Sequence, residues 1–123
     1  MIKFFESYFK HKDKRGSILG IINQGNWEEI NLIKSKKGSS RGGHFHKHTR
    51  ELFYILKGKI EIKIQEIKNK ELVGEQKIIN VNSNEIFLIE PNHIHTFKVI
   101  EDAEWINILS KKIDKKNPDI FKL

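Results

Sequence analysis

Apolar and polar residues alternate along most of the chain, and runs with helical spacing are few. Alternation with a period of two is the mark of a half-buried strand, because successive side chains leave the backbone on opposite faces. The longest such pattern, LFYILKGKIEIKIQEI, begins at Leu52. It reads as a hairpin: an apolar run over 52–56, a turn at Lys57-Gly58, then Ile60, Ile62 and Ile64 alternating with Glu61, Lys63 and Gln65. Further strands are predicted at SILGII (17–22), WEEINLIKS (27–35), EQKIIN (75–80), IFLIE (86–90), HTFKVI (95–100) and WINILS (105–110). Turn-forming stretches separate them: KNKEL over 68–72, Asn82-Ser83-Asn84, Pro91-Asn92 and the polar 101–104. The opening MIKFFESYF predicts an edge strand or exchanged arm over about 1–12, with a core-covering strand as the alternative. The polar tail over about 111–123 is expected to carry a short helix or to lie across the surface. Short strands every 8–12 residues or so, with no long helix, predict an all-β sandwich or barrel occupying 1–123 as one domain.

Composition narrows the function more than the fold. A chain of 123 residues can close a hydrophobic core without cross-links. It contains no cysteine, which removes disulfides, thiolate zinc sites and cysteine nucleophiles. The start lacks the apolar core of a signal peptide and no segment reaches transmembrane length, so the expectation is a soluble, cytoplasmic protein with no membrane partner. The formal net charge of +7 comes from scattered lysines, as in KNK (68–70) and KKIDKK (111–116). These are not interleaved with aromatics, and nucleic acid is not expected as a partner. There are only three arginines, and two precede glycine, in Arg15-Gly16 and Arg41-Gly42.

The candidate chemistry lies in RGGHFHKHTRELFYILKG, residues 41–58. On a strand, His44 and His46 project to one side, about 7 Å apart along the backbone. Residues 47–50 must bend, after which Glu51, Phe53 and Ile55 share a face. If that face is interior, a carboxylate sits among hydrophobes beside two imidazoles and needs a cation or several donors. A divalent metal satisfies all three groups, and His95, just past the Pro91-Asn92 turn, can supply a fourth ligand. Three nitrogens and one oxygen suit iron, manganese, nickel, copper or zinc. His48 in the bend and His93 in the turn are candidates to touch a ligand at the mouth.

The spacing His44-x-His46-x4-Glu51-x6-Gly58 resembles the first cupin motif, and Pro91-Asn92-x-x-His95 resembles the second, with Asn92 where glycine is usual. The resemblance implies an RmlC-like jelly-roll β-barrel with one divalent metal ion per chain (Fe, Mn, Ni or Zn) near its mouth, and a homodimer. DKRGSILG (13–20), SRGGHFH (40–46) and NSNEIFLIEPNHIHTFKVIEDAEW (82–105) are similar, in that order, to segments of the dTDP-4-dehydrorhamnose 3,5-epimerase superfamily. The Arg-Gly-x-His-x-His-Lys run (41–47) is equally similar to the dTDP-sugar 3,4-ketoisomerases, which use paired histidines as acid and base without a metal. No tyrosine falls where the epimerases carry a catalytic one, so a 3,5-epimerase proper is not expected.

These resemblances imply a sugar-nucleotide isomerase or epimerase of surface-polysaccharide biosynthesis, with a small-molecule, nucleotide-sugar substrate. His44 and His46 would transfer protons, as histidine's pKa suits exchange beside a carbonyl. Arg41, planar and doubly donating, suits a diphosphate. Among Phe45, Phe53, Tyr54 and Trp27, one or more would stack on the base. Two alternatives remain open: a metal-dependent oxygenase, lyase or isomerase on a small acid, and a non-catalytic ligand-binding module.

Overall fold

A computed structural model describes residues 2–123; Met1, the first residue of the expected arm, lies outside the described residues. They form nine strands and no helix: β1 (Ile2–Phe5), β2 (Phe9–Asp13), β3 (Gly16–Gly20), β4 (Glu29–Ser35), β5 (Ser40–His44), β6 (Glu51–Lys68), β7 (Glu71–Asn82), β8 (Ile86–Ile89) and β9 (His93–Leu109). Seven belong to one antiparallel sheet, ordered β1-β8-β6-β9-β4, with β5 also on β9 and β7 also on β6; β2 and β3 pair separately.

The strands β6 and β9 are paired along nearly their whole length, from Glu51 opposite Leu109 to Glu66 opposite His93. Each half has its own outer neighbours. The half containing Glu51–Tyr54 lies against β8, and the half from Lys59 onward lies against β7. Likewise β4 flanks Ala103–Leu109, while β5 flanks His95–Lys98. Phe53 and Ile55 from one half nevertheless share a buried cluster with Ile60, Ile62 and Ile64 from the other, together with Phe87, Phe97 and Trp105. The sheet therefore folds over on itself around one core.

Gly58 is where it bends. The hairpin expected at Lys57-Gly58 is instead one continuous strand with a register shift on either side of Lys57. Gly58 has φ +97°, and a Cβ there would lie 2.5 Å from the Asp102 carbonyl oxygen and 2.7 Å from Ala103 Cα. A backbone approach that close is open only to glycine. The facing stretch 101–104, expected as a turn, is the matching bend inside β9, so two expected strands there are also one. Lys57-Gly58 carries the turn chemistry of a hairpin, but pairing to β9 runs through it. The expected turn over 68–72 does close a hairpin, with Asn69 and Lys70 at φ 53° and 64°, as a primed two-residue turn requires.

A second apolar cluster lies on the other side of the sheet. There Leu52, Tyr54, Ile86 and Leu88 are covered by Leu19, Ile21, Ile22 and Trp27 from the N-terminal third. The edge strand expected at the start is present, as β1 on β8 of the same chain. The tail has no helix; it lies across the surface and bridges Phe121 to Phe45. No described helix is long and apolar enough to cross a membrane.

Gly58→Ala should lower stability by about 3 kcal/mol or more, since strain adds to a clash with backbone that cannot move aside. Gly74→Ala is the control: φ is +71° there but nothing lies within 4 Å of the added Cβ. It should cost only about 1 kcal/mol. Urea midpoints of the two variants measure the difference, and equal losses would contradict the role given to Gly58.

Candidate metal centre

Four side chains converge at one end of the folded sheet. Gly42 and Gly43, at φ +100° and +75°, place a bulge in β5 where its register on β9 shifts between Gly42 and His44. A Cβ on Gly42 would stand 2.6 Å from the His95 carbonyl oxygen, so this glycine lets β5 close onto β9 beside His95. His46 follows two residues later, and Glu51 opens β6 on its inward face. His95 enters after the turn at Asn92, whose φ of 62° is the left-handed conformation that glycine usually supplies. One ligand atom from each of His44, His46, Glu51 and His95 lies within 4.8 Å of the others.

Three of the four are locked from behind. His46 Nδ1–H donates to the carbonyl of Asp119 and His95 Nδ1–H to that of His93. The Glu51 Oε2 accepts from Asn107 Nδ2 at 2.9 Å, and Asn107 Oδ1 accepts from Asn31. Both imidazoles then turn Nε2 toward the same atom, Glu51 Oε1, at 2.8 Å from His46 and 3.1 Å from His95. With Nδ1 as donor, a neutral imidazole has only a lone pair at Nε2. The buried Nε2 of His46 and Oε1 of Glu51 are thus two acceptors facing each other. A cation must lie between them. A proton on His46 satisfies one pair, while a divalent metal satisfies all of them, so the residues fit the implied ion.

The electrostatics agree. Burial alone would raise Glu51, but contact with His46 and His95 outweighs it and holds the carboxyl well below its ordinary range. Burial alone would lower His46, but the Glu51 contact raises it. His44 differs. It is half-buried, packed edge-on against both other imidazoles at centroid distances of 5.1 Å, and burial followed by repulsion from His95 lowers it to about 4.

The four residues open into a cavity of about 240 Å³. Its walls are mainly apolar (Ile33, Phe53, Phe97, Trp105, Leu109), and Ile113 and Ile120 reach in from the tail. Arg41 is at the rim, its guanidinium donating to Ser35 Oγ and the Lys34 carbonyl. Of the aromatics considered for stacking, only Phe53 lines the cavity; Tyr54 bonds Asn84 on the opposite face, Trp27 bonds the Gln24 carbonyl, and Phe45 packs on Phe121. The structure does not bring His48 or His93 into it. His48 is exposed on the bend, and the turn folds the His93 ring back so that Nδ1–H donates to the Pro91 carbonyl at 2.9 Å.

Sequence reasoning missed Asn107, Asn31 and the whole contribution of the tail. Asn107 carried a signal: in WINILS it occupies the inward phase of Trp105 and Leu109, where a polar residue needs a partner. Asp119 had none, since nothing local ties it to residue 46.

Residues 11–121 match the family described as polysaccharide biosynthesis C-terminal domain. The chain belongs to that family. A relative within reach of sequence comparison is UDP-2-acetamido-2,6-beta-L-arabino-hexul-4-ose reductase of Pseudomonas aeruginosa, 24% identical over 115 residues. The match covers 90% of this chain but 30% of the reductase, so the family domain described here spans less than a third of that relative. Among solved structures, a dTDP-4-dehydrorhamnose 3,5-epimerase from Sulfolobus tokodaii has a TM-score of 0.75 at 20% identity, over 94% of this chain and 78% of that one. The sugar 3,4-ketoisomerase QdtA from Thermoanaerobacterium thermosaccharolyticum, in complex with TDP, gives 0.75 at 21% identity over 99% and 88%. The family domain therefore has the RmlC-like cupin fold.

His44 makes the metal-free protein acid-sensitive in a defined window. Its folded value of about 4 lies below its ordinary 6.5, so the unfolded chain binds more protons between those values and stability falls as pH drops through them. Glu51 keeps its contribution above its ordinary value of 4.5, which covers pH 5 to 6.5. His46, raised from 6.5, has its contribution fully present below that value. After chelation, the urea midpoint should fall from pH 6.5 to pH 5, and fall less in His44→Gln; equal falls in the two proteins would contradict this assignment.

Proposed function

We propose that this domain acts on the keto-sugar portion of a nucleoside-diphosphate sugar, moving a proton at a carbon beside the carbonyl, as an epimerase or isomerase of polysaccharide biosynthesis. The observation that carries the reading is the division within the cluster: His46, Glu51 and His95 each have a locking partner, whereas His44 stands half-open to the cavity. His46, Glu51 and His95 would hold one divalent metal, which when bound would supply a Lewis acid for the carbonyl oxygen. His44, neutral at pH 7, takes the C–H proton on a ring nitrogen. It returns that proton to the neighbouring carbonyl carbon while the hydroxyl proton passes to the former carbonyl oxygen, which is isomerisation with no atom gained or lost; epimerisation would need a second group to protonate the same carbon from the opposite face.

The cavity supports this substrate class by size and lining. At about 240 Å³ it falls below the roughly 300–1,000 Å³ of pockets that enclose a drug-sized ligand. One sugar ring enters, and the diphosphate and base remain at the rim, where Arg41 offers its remaining guanidinium N–H groups. Phe53 and the aliphatic walls suit a deoxygenated face of the ring. The Pseudomonas relative is named for a UDP-linked hexulose, and QdtA was solved with TDP. These names support the class of substrate and leave the sugar open. The same reading makes the protein cytoplasmic, where nucleotide sugars are made, and takes 1–123 as one domain.

Metal content and proton exchange test the assignment together. In D2O, a 4-keto nucleotide sugar should gain deuterium beside its carbonyl when the wild-type chain is added. His44→Asn should cut that exchange by about 10²–10⁴-fold while keeping its metal. His46→Asn should lose the metal and the exchange together. Loss of metal in His44→Asn to the same extent would make His44 a fourth ligand and sink its role as proton carrier. Metal without any exchange would favour an oxygenase, a lyase or a binding module over this reaction.

A further inference from the structure

The C-terminal tail is fastened at two places, and the second fastening is the site itself. At its start, Lys112 and Ile113 donate their backbone N–H groups to Glu28 and Glu29. At its end, Phe121 and Phe45 exchange both backbone hydrogen bonds at 2.9 Å, their rings pack at a tilt of 35° with centroids 5.8 Å apart, and Lys47 Nζ lies 4.1 Å over the Phe121 ring. Between these, Asp119 serves two groups at once. Its carbonyl takes the Nδ1–H of His46. Its carboxylate takes the backbone N–H of Lys47 and His48 and the hydroxyl of Thr49, at 2.8–2.9 Å. Those three donors belong to the bend that joins His46 to Glu51. A residue 73 positions away thus fixes both the ring orientation of His46 and the loop that spaces it from Glu51.

We infer that Asp119 is a positioning residue for the His46–Glu51–His95 centre, and that docking of the tail and occupancy of the centre are thermodynamically linked. An acceptor behind a ligating imidazole fixes which nitrogen faces forward, and loss of such a partner typically costs 10- to 100-fold in metal affinity. Linkage is reciprocal. If the docked tail strengthens metal binding by some factor, metal must favour the docked tail by the same factor. Ile113 and Ile120 wall the cavity, so undocking also opens it.

The test uses the full chain, Zn2+ as probe, and three single variants. Asp119→Ala keeps the backbone carbonyl behind His46 but frees the bend and with it the tail, so it should weaken Zn2+ by about 10-fold or more, and Asp119→Asn, which keeps one acceptor oxygen, should fall between it and wild type. Phe121→Ala, which undocks the tail without touching the bend donors, should also weaken it. In the wild type, Zn2+ should slow amide exchange at Phe121, whose N–H bonds the Phe45 carbonyl. An unchanged Zn2+ affinity in Asp119→Ala, or exchange at Phe121 that ignores Zn2+, overturns the linkage. The metal arm rests on the reading above, so the long-range 15N spectrum of His46 is measured in metal-free protein as well. The Nδ1–H tautomer in wild type, lost or mixed in the Asp119→Ala/Phe121→Ala double variant, whose undocked tail carries that carbonyl away from His46, supports the positioning role even if the wild type binds no metal. The same tautomer in both overturns it.

Discussion

The structure turns on a single buried carboxylate oxygen. Glu51 Oε1 faces the Nε2 atoms of two imidazoles whose other nitrogens are already committed as donors. A carboxylate excluded from water is costly unless its charge is met, and here the groups that meet it are lone pairs. The cluster is therefore unfinished without a cation. Much of the surrounding architecture holds these groups in that arrangement: the bulge at Gly42-Gly43, the left-handed Asn92, the Asn31–Asn107 relay behind Oε2, and the tail behind His46.

The folding of the sheet serves the same end. Because β6 and β9 bend together at Gly58 and the facing 101–104 stretch, Glu51 and His95 are far apart along their paired strands yet share one interior. Glu51 lies opposite Leu109, and His95 opposite Ile64. In a flat sheet of the same pairing they would be separated by most of a strand length. The glycine at 58 is thus a requirement of the site as much as of the fold.

Strand positions and the inward face were legible in the sequence, because period-two alternation holds on each side of a bend, even though the inward phase of β6 switches from 53 and 55 to 60, 62 and 64 across Gly58. Glu51, Phe53 and Ile55 do share a face, and His44, His46 and His95 do meet. Continuity was not legible. A Lys-Gly pair in a hairpin turn and a Lys-Gly pair at a sheet corner place the same demands on the backbone, and only tertiary pairing distinguishes them. The cavity-facing role of Phe53 could be phased from Glu51. The outward positions of Phe45 and Tyr54 follow the same alternation in reverse. The tail was opaque, since its role depends on backbone atoms and on a partner loop that no local pattern names. His48 and His93 show the limit from the other side: histidines beside the cluster in sequence, turned away by a bend and by a tight turn.

If a metal occupies the gap between Glu51 Oε1 and the two Nε2 atoms, anomalous diffraction from crystals of the chain soaked in Zn2+ or Mn2+ will show one peak per chain, at about 2.0–2.2 Å from His46, His95 and Glu51. An empty site after soaking, with Glu51 Oε1 still in contact with both imidazoles, rules the metal out and leaves a proton as the only cation the centre holds.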